Sequence, residues 1–148
     1  MELHHLRTLF TRDLRQLCNE IDAFTNEADL WRTTGTITNS AGNLCMHICG
    51  NLRYFIGALL GGGAYVRDRN REFEARNILK AALLDEVNRT MSAVDAALAG
   101  MTSGKLKEHF PVNVLPEVTT TEHVLLHLYG HLNYHLGQVN YLRRALKA

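Results

Sequence analysis

Apolar residues recur at three- and four-residue steps along most of the chain, which is the spacing of a helix face. Leu3, Leu6, Leu9, Phe10, Leu14, Leu17, Ile21 and Phe24 mark a first helix of roughly 20 residues. Trp31 to Thr36 is polar, contains a glycine and has no period, so it reads as loop. A second helix is predicted from near Ser40 to about Leu60, where Gly61, Gly62 and Gly63 stop it. Residues 64–76 are charged and form a long connection, of a kind that often carries function. A third helix is predicted from about Asn77 to Leu98, with Leu79, Leu83, Leu84, Val87, Met91, Val94 and Leu98 facing inward. Residues 105–118 hold both prolines and read as irregular. The fourth helix opens at Thr119–Glu122, spaced as a capping box, and runs to the end of the chain. No segment reads as a strand of any length. The pattern predicts an all-α fold, a four-helix bundle forming one domain over residues 1–148.

Composition narrows the function classes. The 16 basic and 15 acidic residues give a net charge of +1, so nothing marks a nucleic-acid or anionic-membrane surface. No apolar run is long enough to span a bilayer, and the first ten residues lack the apolar core of a signal peptide. Three cysteines, an odd number, argue against a disulfide framework and predict a reducing cytoplasm. Cys45 and Cys49 fall among Leu44, Ile48 and Leu52 and read as buried structural thiols, as does Cys18. There is no CxxC, HExxH or phosphate-binding glycine loop.

Histidine changes the picture. Four of the eight histidines, His123, His127, His131 and His135, stand four residues apart on the fourth helix. Each such step turns the direction by about 40°. Relative to the mean direction of the apolar residues, His135 lies roughly 40° away and His131 roughly 80°. His127 lies roughly 120° away and His123 roughly 160°. The inward pair is therefore His131 and His135, with His127 at the rim and His123 in solvent. Two imidazoles spaced i, i+4 can share one metal ion.

A third ligand has to come from another helix. His47 is the only histidine of the second helix, and it points away from that helix's apolar side. The face around it holds Ser40, Asn43, Asn51, Tyr54 and Ala58, with no charge. A solvated face would carry Lys and Glu, so this one suits a cavity wall or an interface. Three histidines with an open fourth position make a catalytic type of zinc site. Asn51, one turn from His47, and Gln138, about 20° around from His131, are candidates to orient the imidazoles or meet substrate, together with Tyr54 and His127. Residues 65–73 read as a solvated charged loop; if it closes over the site, Arg67 or Arg69 could hold an anionic substrate. The competing reading is that these histidines only pack.

His47-Ile-Cys-Gly-Asn51, followed far downstream by His131-Leu-Asn-Tyr-His135-Leu-Gly-Gln138, resembles the DinB-like superfamily, which includes the YfiT-like metal-dependent hydrolases and thiol-dependent transferases. Asn51-Leu-Arg-Tyr-Phe-Ile-Gly57 and Tyr65-Val-Arg-Asp-Arg69 resemble a bacterial branch of it. The resemblance spans the chain. It implies an up-up-down-down four-helix bundle, often a homodimer, with a divalent metal on His47, His131 and His135. It also implies a small-molecule substrate and, in the better understood relatives, a low-molecular-weight thiol. Zinc is the expected metal by ligand type, with nickel next. No acidic residue stands out beside the ligands as a general base, which favours thiol transfer to an electrophile over hydrolysis. The alternative is a non-enzymatic metal or small-molecule binder. Imidazoles must be neutral to ligate, so metal affinity is expected to fall below about pH 6.

Overall fold

The computed structural model describes residues 1–147. They are all-helical, with one isolated antiparallel bridge, His109 to Thr120, as the only β pairing among the described residues. The first helix, α1, spans Leu3–Asp22 and buries Leu6, Phe10, Leu14, Leu17 and Ile21 completely. A short turn of 3-10 helix, Glu27–Trp31, then places Leu30 in the core.

Helix α2, Ala41–Leu52, is capped by the Ser40 hydroxyl, which accepts from the Asn43 amide at 3.2 Å. Every residue of α2 is buried. This explains its uncharged second face: that face meets protein rather than water. Beyond Leu52 the chain widens into π-type turns over Arg53–Ala58, with i→i+5 bonds from Leu59 N to Tyr54 O and from Gly61 N to Ile56 O, both 3.0 Å. Such turns shift the facing of the residues that follow and are frequent at functional sites.

The charged connection contains a short helix, α3, Arg69–Glu74, capped by Asp68. Helix α4 spans Lys80–Ala99, three residues later than the periodicity predicts. Asn77 has φ 58°, a left-handed conformation that no helical residue can hold. Helix α5 spans Thr121–Leu146. Its cap is Thr120, accepting from the His123 amide, so the expected Thr119–Glu122 box does not form. Thr119 instead meets the His123 ring at 2.9 Å, and Glu122 pairs with the N-terminal amine.

Side-chain pairs fix the helix directions. Arg7 meets Asp95 and Lys80 meets Asp22, so α1 and α4 are antiparallel. Asp13 meets Tyr129 and Glu20 meets Arg143, so α1 and α5 are parallel. Arg53 meets Glu86 and Gly61 approaches Ala97, so α2 and its extension run parallel to α4. His47 meets His131, and Leu44 shares a cavity wall with Gln138 and Leu142, so α2 and α5 are antiparallel. The order is up-down-down-up, which corrects the up-up-down-down expectation. The physical reason is the long segment after α2, which carries the chain back along the molecule before α4 begins; parallel neighbours need such a crossover. The buried side chains form one core between these four helices. No described helix is long and apolar enough to cross a membrane.

Candidate metal centre

His47 comes from the middle of α2, and His131 and His135 from one face of α5. Their Nε2 atoms converge: His47 to His131 is 3.0 Å and His131 to His135 is 3.2 Å. One potential ligand nitrogen from each lies within 4.8 Å of the others. Three ring nitrogens this close cannot all be hydrogen-bonded to one another. The proton count shows why.

Glu72 fixes the first tautomer. Its Oε1 lies 2.9 Å from His47 Nδ1, and Arg67 donates to both Glu72 oxygens at 2.9 Å. Burial alone would raise the Glu72 pKa, but the bonds from His47 and Arg67 outweigh it and hold the group below its ordinary value. An ionised carboxylate can only accept, so His47 Nδ1 carries a proton and Nε2 is the atom turned towards the other two rings. Likewise His135 Nδ1 donates to Gln138 Oε1 at 2.7 Å, which frees its Nε2 lone pair. With all three rings neutral, as ligation requires, at most one proton, on His131 Nε2, is left for three facing nitrogens. The donor set fits a divalent cation, which would replace this lone-pair repulsion with three bonds. A carboxylate behind a ligating imidazole is the usual outer support of such a centre.

Electrostatics point the same way. Burial, then the neighbouring His135 and His47, push the His131 pKa down to about 4, so it is neutral at physiological pH. Burial also lowers His135, partly opposed by its bond to Gln138. Phe73 of α3 packs on the His47 ring, with centroids 4.8 Å apart, and Tyr134 on that of His135 at 5.2 Å.

A model of the family described as "Protein of unknown function (DUF1572)" matches residues 2–148. The chain belongs to the DUF1572 family. DUF1572 is itself DinB-like, so the motif resemblance holds at that level. No curated protein matches the chain.

In this DUF1572 chain the other sequence candidates are distributed unevenly. Gln138 is exposed yet bonded to His135. Arg67 reaches the centre, but its fork is spent on Glu72; Arg69 is exposed and stacks on Phe73. Asn51 is buried with its side-chain oxygen unpartnered, as is His131 Nδ1. Tyr54 is half-buried against Phe55, and both His127 and His123 are exposed. Cys45 and Cys49 are buried thiols; the Cys49 contact and burial raise the Cys45 pKa well above its usual value.

Residues 65–73 are only partly the solvated loop that their charge suggests: Asp68, Arg69 and Arg71 are exposed, but two charged residues are not. Glu72 is 3% exposed and Arg67 is largely covered. Sequence reasoning found no carboxylate beside the ligands and so missed Glu72. One faint signal was available. Gly50 interrupts α2 three residues after His47, and a Cβ there would collide with the Glu72 carboxylate. The glycine is the socket that admits it.

Proposed function

We propose that this chain is a metal-dependent enzyme of the DinB/YfiT type, in which His47, His131 and His135 hold one divalent ion and leave a position open for substrate. The observation that carries this reading is the convergence of three Nε2 atoms, with the His47 and His135 tautomers set from behind by Glu72 and Gln138. Zinc suits the all-imidazole set, with nickel second. When bound, the ion supplies a Lewis acid that favours the deprotonated form of a thiol or water.

Glu72 does not serve as a general base in this reading. Both its oxygens are engaged by Arg67 and His47. Its work is to orient His47. That supports transfer of a low-molecular-weight thiol to a small electrophile over hydrolysis, because a thiol nucleophile needs no separate base. A single-domain four-helix bundle, acting in the cytoplasm as a homodimer, completes the proposal.

The test is elemental analysis of untagged protein prepared without chelators, beside the variant with His47, His131 and His135 all changed to alanine. About one zinc or nickel ion per chain, lost in the variant, is the expected result. No metal in the wild type, even after zinc is offered, overturns the reading.

A further inference from the structure

A cavity of about 410 Å³ opens between α2, α5 and the loop before α2. Its walls include Ile37, Thr38, Leu44, Gln138, Leu142 and Ala145. Among the described residues no charged side chain lines it. Leu44 precedes His47 by three residues and Gln138 follows His135 by three, so on both helices the cavity begins about one turn, roughly 5 Å, from the metal ligands. Gln138 belongs to both places: it lines the cavity, and its side-chain oxygen holds His135 Nδ1.

We propose that this cavity binds the uncharged, mostly apolar body of the small molecule on which the metal centre acts. This rests on the proposed function for the identity of the reacting end, though the cavity's selectivity does not. Ile37, Leu44 and Leu142 offer apolar area, while Thr38 and Gln138 offer hydrogen bonds. Inside the cavity a carboxylate or ammonium would lose hydration and meet no counter-charge from the lining; a carboxylate held by the ion instead would shift the His135 ring without the Ile37 and Ala145 methyls. A ligand with an amide or hydroxyl beside an aromatic or aliphatic body matches both surfaces. The metal would then meet the reactive end of a molecule whose body lies one turn along the α2–α5 groove.

Benzamide and benzoate, nearly equal in shape and different in charge, are the probes. Each is titrated into the zinc-treated full chain by NMR, with the metal content of every sample measured. Benzamide is expected to shift the Gln138 side-chain amide, the Ile37 and Ala145 methyls and the His135 ring together, and to bind about tenfold or more tighter than benzoate. Ala145→Trp should abolish these shifts at unchanged metal content. Thr38→Lys, a change at an exposed wall position, should invert the preference towards benzoate even where the tryptophan variant folds poorly. Equal binding of the two probes, read at the Ile37 and Ala145 methyls, overturns the inference, as do unaltered shifts in both variants. So do the same shifts on raising protein concentration without probe, which would mean that a second copy fills the cavity. Metal content separates the failures: bound zinc with a silent cavity sinks this inference alone, whereas a metal-free protein that binds benzamide sinks the functional reading and leaves the cavity as a binding site of its own.

Discussion

The two helices that bring the histidines together hold them in opposite ways. On α2, His47 is 6% exposed and is backed by the buried Glu72, itself clamped by Arg67. On α5, His131 and His135 are half-buried, and the support is the exposed amide of Gln138, while His131 Nδ1 has no partner. One side is a charged, desolvated network that over-determines a ring's orientation. The other relies on helix spacing, because i and i+4 already stack on one face. A ligand pair on one helix needs little help to stay together. A lone ligand from another helix has to be aimed.

The largest effect should come from breaking the α2 side. Glu72→Gln leaves the largely buried Arg67 without its counter-charge, and breaking such a pair costs about 3 kcal/mol or more. Urea denaturation of the metal-free protein should show that loss, and competition with a chromophoric chelator should show zinc held about 10- to 100-fold more weakly. Gly50→Ala should act through the same carboxylate, since its new methyl group occupies the Glu72 socket. Its expected cost is about 1–3 kcal/mol, with zinc affinity falling in parallel. Full affinity in a folded Gly50→Ala protein would show that Glu72 need not sit where it does.

Acid sharpens the comparison on the α5 side. In the metal-free protein His131 has its pKa pushed down to about 4, against about 6.5 when unfolded. The unfolded chain therefore binds the proton first. Stability contributed by neutral His131 is complete above about pH 6.5 and is lost as pH falls towards about 4. Thermal unfolding across that window, repeated with His131→Leu, should show a shallower pH slope in the variant. An NMR titration should find the His131 ring still neutral at pH 5. Zinc lost through protonation of this ligand is then expected at lower pH than the histidine reference value implies.

The smallest effect is expected from Gln138→Ala. Its amide is exposed, so folding stability should change by no more than about 0.5 kcal/mol. Zinc affinity should still fall, by about tenfold at most, because His135 loses its Nδ1 acceptor. A loss as large as that of Glu72→Gln would abolish the contrast between the two sides.

Much of this was legible in the chain itself. Period alone located α1, α4 and α5 to within a few residues, because an amphipathic helix must repeat its apolar face. Helical geometry likewise selected His131 and His135 over His123 and His127. The uncharged face around His47 announced burial, since an interior wall tolerates no unpaired charge. Other features were out of reach. Arg67 and Glu72 lie five residues apart in a segment whose charges look solvated, and only the approach of α3 to Gly50 makes them interior. The left-handed Asn77 delays α4, and the choice of Thr120 over Thr119 as cap is local geometry that several neighbouring threonines could satisfy.

The sequence by itself determined the helices, the buried faces and which imidazoles could act as a set, because these depend on periodicity and on the cost of burying charge. Only the tertiary structure decided the up-down-down-up order, the carboxylate behind His47 and the cavity beside Gln138. Each depends on which faces meet across long connections, and no local pattern encodes that.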